Sequence, residues 1–195
     1  MYNDILSIVD LNFSYGRKII IKDLNLCVRS GDIIGIVGKN GCGKTTFLKI
    51  VCGLLHPDSG SLRFSCGNSN RPFVFGILET PKLFENLTGM ENLRYYLEDE
   101  YSESAAKVAF SHWKLMDFAN TNVKKYSLGM KQKLGLILSF LSNATLLIFD
   151  EPTNSLDFDS VAIFYECVRE AAMQGKSVLI VTHVLYELEK IVQEL

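Results

Sequence analysis

Residues 5–30 alternate apolar and polar side chains, as in Leu24-Asn25-Leu26-Cys27-Val28-Arg29. A period of two is that of half-buried strands, so this segment predicts an antiparallel sheet. The pattern then changes. Ile33-Ile34-Gly35-Ile36-Val37 is a continuous apolar run, and Thr45-Thr46-Phe47-Leu48-Lys49-Ile50-Val51 has helical spacing. The spacing predicts strand, loop and helix over 33–55. His56-Pro57-Asp58-Ser59-Gly60 is a turn cluster leading into the short strand Ser61-Leu62-Arg63-Phe64. The polar stretch from Cys66 to Pro72 reads as a loop, and Phe73 to Leu78 as a buried strand.

From 79 to 142 strand-like runs disappear and helical spacing takes over. Thr88-Gly89-Met90-Glu91 fits the capping box S/T-x-x-E, with Leu93, Tyr96 and Leu97 as the apolar face behind it. A second helix is expected over 103–117 and a third from Ser127. Apolar strands then resume at Leu146–Phe149 and Ser177–Val181, separated by a helix at about 160–174 and the turn Gly175-Lys176. Helices alternating with apolar strands imply a parallel sheet covered on both faces. The expected fold is α/β, with a mainly parallel core sheet, an N-terminal antiparallel β subdomain and an inserted helical subdomain. No internal repeat or low-complexity segment is evident.

Composition narrows this picture. The chain's 195 residues suit one domain, with 1–78 and 143–195 as the core and 79–142 as the helical subdomain. The net charge is −2 and basic residues are scattered, the nearest pairs being Arg17-Lys18 and Lys124-Lys125. That balance argues against a nucleic-acid or anionic-membrane surface. The five cysteines, Cys27, Cys42, Cys52, Cys66 and Cys167, show no CxxC and no zinc-spaced His, which points to reduced thiols and a cytosolic setting. Met1-Tyr2-Asn3-Asp4 has no basic region followed by an apolar stretch, so no signal peptide is expected, and no apolar run approaches the length of a membrane span.

The chemistry centres on residues 38–45, Gly-Lys-Asn-Gly-Cys-Gly-Lys-Thr, a full match to the phosphate-binding pattern GxxxxGK[ST]. Gly38, Gly41 and Gly43 let the backbone curl so that several N–H groups aim at one polyphosphate. Lys44 adds a positive charge for the outer phosphates, and Thr45 a hydroxyl for Mg²⁺. The flanking strand and helix are the context this loop requires, because a helix N-terminus also attracts anions. Asp150 and Glu151 end an apolar strand, the edge at which ligands collect in open α/β sheets. There Asp150 can hold Mg²⁺ beside Thr45, and Glu151 can polarise a water for attack on a γ-phosphate. His183 ends the last strand, where it can hydrogen-bond the γ-phosphate or orient that water. Ser127-Leu128-Gly129-Met130-Lys131-Gln132 opens a helix; Ser127 is either an N-cap alone or part of a second anion site.

Together these segments resemble the nucleotide-binding subunit of an ATP-binding-cassette (ABC) transporter. GKNGCGKTT, which adds Asn40, Cys42 and Thr46 to the nucleotide-binding set, resembles the family's Walker A motif, and LLIFDEP its Walker B with catalytic glutamate. YSLGMKQ resembles the signature sequence, Asn154-Ser155-Leu156-Asp157 the D-loop, His183 the switch histidine, and Tyr15 the aromatic that stacks on adenine. The resemblance implies ATP and Mg²⁺ as ligands, with Glu151, His183 and Lys44 catalytic. It implies a head-to-tail dimer, homo- or heteromeric, in which Ser127, Gly129 and Asp157 serve the partner's nucleotide. It further implies a transmembrane permease docking on 79–142 and a position on the inner face of the cell membrane.

Three departures accompany the resemblance. Leu128 and Met130 replace the signature's first Gly and its Gln. Glu79 stands where the family usually has Gln, as in the bacitracin and lantibiotic self-protection exporters; a carboxylate there can ligate Mg²⁺ and couple the two subdomains. The sequence ends twelve residues after His183, as expected of a short member or of a sheet edge completed by a partner. A non-transport ABC ATPase of DNA repair or the ribosome is the alternative, and a plain P-loop kinase a more distant one.

Overall fold

Two kinds of apolar strand build two kinds of sheet. The computed structural model describes residues 4–65 and 74–183. The alternating segments form β1 (Asp4–Tyr15) and β2 (Lys18–Arg29). β4 (Ser59–Phe64) joins them in an antiparallel sheet of order β2-β1-β4. The continuous runs form β3 (Ile33–Val37), β5 (Val74–Ile77), β6 (Leu146–Asp150) and β7 (Ser177–Thr182), an all-parallel sheet of order β3-β7-β6-β5. Every residue of β6 and β7 is buried, as continuous apolar sequence requires.

The helices are α1 (Lys44–Val51), α2 (Gly89–Leu97), α3 (Glu103–His112), α4 (Leu128–Leu141) and α5 (Phe158–Met173). Alternate residues of the central strands enter different cores. Leu147, Phe149, Val178 and Ile180 pack with α3, α4 and α5 through Phe110, Leu134 and Phe164. Leu146, Ile148, Leu179 and Val181 pack with α1 and the antiparallel sheet through Phe47, Leu48 and Leu6. The parallel sheet is thus covered on both faces. No helix among the described residues is long and apolar enough to cross a membrane.

Several local expectations shift. The capping box is present: Glu91 N–H donates to Thr88 Oγ1 (3.2 Å) and Thr88 N–H to Glu91 Oε2 (2.7 Å). The helix expected over 103–117 ends at His112, because Lys114 takes a left-handed φ of 53°. The helix expected at 160–174 begins at Phe158, since Asp157 caps it. β4 starts inside the turn cluster: Gly60, at φ 89°, lies against the Asp10 carbonyl where an added Cβ would fall 2.3 Å from the oxygen. Phe73 and the loop 66–72 lie outside the described residues.

Although no long repeat exists, the tripeptide Asp-Leu-Asn occurs at 10–12 and 23–25 and forms a reciprocal pair of bulges. Asp10 and Asp23 have φ of 49° and 47°. The Asp10 N–H donates to Asn25 Oδ1, and the Asp23 N–H to Asn12 Oδ1, both at 3.0 Å. Each Asn side chain also donates back to the Asp carbonyl two residues before it. Side-chain amides replace the ladder bonds that the bulges break.

Parallel strands place all their carboxyl ends at one edge. The glycine loop follows β3, Glu79 lies two residues beyond β5, Glu151 follows β6, and His183 follows β7.

Candidate functional site

The cleft at that edge has a volume of about 600 Å³ and is lined by residues from every quarter of the fold. Tyr15, Asn40, Gly41, Gly43, Lys44, Thr45, Thr46, Glu79, Asp150 and Glu151 all face it. Gly38 and Cys42 belong to the same loop, with Cys42 Sγ lying where a Cβ on Gly38 would come within 2.8 Å.

α1 differs from the other α-helices among the described residues. Thr88, Ser102, Ser127 and Asp157 cap α2, α3, α4 and α5 with their side chains. α1 starts at Gly43 with no side-chain cap. Its first N–H groups therefore carry the positive end of the helix dipole without a protein acceptor, which suits an anion. Gly43 has φ 108°, and a Cβ there would lie 2.5 Å from Ile20 Cγ2, so only glycine shapes this entry. The Lys44 ammonium folds back onto the loop, donating to the carbonyls of Gly38 (2.6 Å) and Lys39 (3.2 Å).

The Thr45 hydroxyl donates to Asp150 Oδ2 at 2.5 Å, joining the start of α1 to the end of β6. Burial pushes the Asp150 carboxyl above the usual range; the Thr45 bond and Lys44 oppose this, while Glu151 and Glu79 add to it. The buried Asp150 thus feels the negative charge of Glu151 and, more weakly, of Glu79, which a cation beside it would relieve. A hydroxyl and a carboxylate are hard oxygen donors. No group of three or more His, Cys, Asp or Glu side chains among the described residues forms a cage. Few protein oxygens beside a phosphate loop fit Mg²⁺, which fills its octahedron with phosphate oxygens and water. Thr45 and Asp150 would hold it, with Glu79 within electrostatic reach of Asp150.

Glu151 takes a left-handed φ of 50°, unusual for a residue with a side chain. Its N–H donates to the Val181 carbonyl at 2.9 Å. Its Oε2 lies 2.8 Å from His183 Nδ1, so a proton on that nitrogen donates to the carboxylate. The two strand-end residues picked out separately in the sequence are therefore a hydrogen-bonded pair. Glu79, at φ 65°, is exposed and lies 3.7 Å from the Lys49 ammonium of α1.

Tyr15 ends β1 half-exposed, its ring edge-on to Phe13 with centroids 4.9 Å apart. Lys18 and Ile20, across the hairpin turn from it, complete that wall. Sequence reasoning missed both: the Tyr15-Gly16-Arg17-Lys18 turn sets Lys18 opposite Tyr15, but no local signal brings the hairpin over the phosphate loop. Gln132, Asn154 and Ser155 form the far wall and were read only as parts of longer motifs.

Ser127, Gly129 and Asp157 do not line this cleft. Ser127 Oγ accepts the N–H of Met130 at 3.2 Å as the N-cap of α4. Asp157 Oδ1 accepts the Ser160 N–H (2.9 Å) and hydroxyl (2.7 Å), and Oδ2 accepts from Lys133 Nζ at 2.8 Å. Those donors hold its carboxyl well below the usual carboxylate range, Lys133 contributing most. The pairs that bring the cleft together thus come from its two strand-end acids, Asp150 and Glu151.

A family model described as ABC transporter matches residues 21–154. The chain is 37 % identical to the uncharacterized ABC transporter ATP-binding protein YdbJ of Bacillus subtilis (strain 168), over 97 % of this chain and 64 % of that protein. It is 34 % identical to the lantibiotic transport ATP-binding protein SrtF of Streptococcus pyogenes, over 94 % of this chain and 82 % of that protein. Among solved structures, an ATP-binding subunit of an ABC transporter superposes with a TM-score of 0.86 at 29 % identity, covering 96 % of this chain and 82 % of that one.

Proposed function

The chain belongs to the ABC transporter family, and from that premise we propose that it binds and hydrolyses ATP as the subunit that powers a membrane exporter. The observation that carries this reading is one sheet edge holding an uncapped phosphate-loop helix, the Thr45–Asp150 contact and the Glu151–His183 pair. The direction of transport is supported by the name of another relative, the Nod factor export ATP-binding protein I of Burkholderia lata, 32 % identical over 93 % of this chain and 63 % of that protein. No feature of the chain favours a repair or ribosomal role over it.

In this reading Tyr15 stacks on adenine. The N–H groups of residues 40–46 and the Lys44 ammonium, released from its own loop carbonyls, bind the phosphates. Thr45 and Asp150 would hold a Mg²⁺ ion, which would supply positive charge to the phosphates. Glu151 accepts a proton from a water whose oxygen attacks the γ-phosphorus as the bond to the β-phosphate oxygen breaks. His183 holds the Glu151 carboxylate in place through a proton on Nδ1.

A second ATP-binding subunit, arranged head-to-tail, would cover the cleft, its Ser127 helix and Asp157 loop facing the nucleotide. A permease would dock on 79–142, where exposed Phe84, Tyr95 and Tyr96 adjoin an apolar groove of about 700 Å³. This sets the chain at the inner face of the membrane. The test is phosphate release from Mg·ATP, with capture through this chain from solubilised membranes. Wild type is expected to turn over ATP, to stop when EDTA removes Mg²⁺, and to bring down a protein with multiple apolar spans. Lys44→Ala is expected to lose about a hundredfold in nucleotide affinity, the loss of charge-assisted phosphate bonds. Wild-type turnover in Lys44→Ala would overturn the reading.

A further inference from the structure

Glu151 sits in a backbone conformation that its surroundings must impose. Upstream, its own N–H is held by Val181. Downstream the chain runs through 152–157, which is closed by short turns from Asn154 N–H to the Glu151 carbonyl (3.3 Å) and from Leu156 N–H to the Thr153 carbonyl (3.0 Å). Those turns fix the segment's shape but not its position. Position comes from α4. The buried Gln132 side chain donates from Nε2 to the Pro152 carbonyl at 3.1 Å, one residue after Glu151. The Lys133 side chain, 12 % exposed, reaches Asp157 at 2.8 Å, at the segment's far end. Between them the Ser155 carbonyl lies where a Cβ on Gly129 would be 2.7 Å from its oxygen. Consecutive helix residues point about 100° apart, so Gln132 and Lys133 grip the two ends of a segment crossing the helix.

We propose that Gln132 and Lys133 are positioning residues for Glu151: they fasten 152–157 to α4 and so hold the carboxylate in its reactive place. The inference rests on the ATPase reading above. It differs from a stability role because the grip lies at the far wall of the cleft and makes no contact with the phosphate loop. Losing it leaves the phosphate loop intact and misplaces the base alone.

The experiment compares steady-state ATP turnover, affinity for a fluorescent ATP analogue, and melting of the full chain. The variants are Lys133→Met, Lys133→Arg, Gln132→Leu and Asp157→Asn. Lys131→Met is the control, since Lys131 leaves α4 toward Glu85 at 2.6 Å and does not touch the segment. Asp157→Asn keeps an N-cap side chain and removes only the charge that Lys133 meets, so it serves if Lys133→Met fails to fold. Lys133→Met, Gln132→Leu and Asp157→Asn are expected to lose about ten- to a hundredfold in kcat with analogue affinity within about threefold of wild type. Lys133→Arg restores most of the rate, Lys131→Met keeps it, and Lys133→Met with Asp157→Asn loses no more than either alone. Wild-type kcat in Gln132→Leu and Asp157→Asn would overturn the proposal, as would losses that follow melting or affinity instead of kcat. A wild-type chain that binds the analogue yet turns over no ATP would instead sink the ATPase reading on which the proposal stands.

Discussion

Two loops flank the cleft, and they are built by opposite means. The glycine loop 38–43 has little to hold it: one internal backbone bond from Cys42 to Lys39, a lysine curled onto its own carbonyls, and a helix start without a cap. The segment 151–157 is gripped by β7, by α4 and by its own turns, with Pro152 and Thr153 buried. One loop keeps its donors for a ligand to organise. The other is organised by protein before any ligand arrives. Binding groups can be left to the polyphosphate, whose charge draws them together. A group that moves a proton must be in place beforehand, because small displacements cost rate directly.

The comparison can be broken most severely at Gly43. Gly43→Ala puts a Cβ onto Ile20 at a φ no side chain favours. It is expected to cost about 3 kcal/mol in stability, from strain and overpacking together. Nucleotide affinity should fall with it, as read by denaturant melts and by titration with the fluorescent analogue. An unchanged melt would mean that the loop is softer than its geometry implies.

Gly129→Ala is the matching change behind the other loop. Its Cβ would press on the Ser155 carbonyl, for an expected cost of about 2 kcal/mol. Here the signature is a lower kcat at unchanged nucleotide affinity. A loss of affinity instead would make Gly129 part of the binding surface of this subunit.

How much of this was legible in sequence follows from how local each feature is. The phosphate loop, Asp150, Glu151 and His183 were readable because strand ends and glycine spacing are local, and parallel order brings strand ends to one edge. The Thr88 capping box was readable for the same reason. Lys18 and Ile20 were not, because their place in the cleft depends on how the β1–β2 hairpin curls over the phosphate loop. The end of α3 was hidden because a lysine, not a glycine, takes the left-handed turn. Asp157 was read through resemblance as a nucleotide-facing acid, and its partners Ser160 and Lys133 give it a capping and anchoring role within this chain. Gln132 lies 19 residues before Glu151, and no spacing rule marks the approach of a helix side chain to a loop carbonyl.

Asp157 gives the smallest expected effect. Asp157→Ala removes an N-cap and is expected to cost about 1 kcal/mol at neutral pH. Because its folded-state carboxyl titrates below the unfolded value, this stabilisation is present above the unfolded carboxylate pKa and fades as pH falls through the folded one. The stability gap between wild type and Asp157→Ala should therefore close below about pH 4. A gap that widens on acidification would contradict the assignment of Lys133 and Ser160 as its partners.

The central claim is that binding and proton transfer are carried by separate loops of one cleft, and Glu151→Gln tests it most directly. The amide keeps the size of the side chain and removes the base. The measurement is phosphate release in a single turnover, with Mg·ATP affinity determined on the same sample. The account predicts affinity within about threefold of wild type and phosphate release slowed at least about a hundredfold. Release at the wild-type rate, or an affinity lost in step with it, would contradict the account.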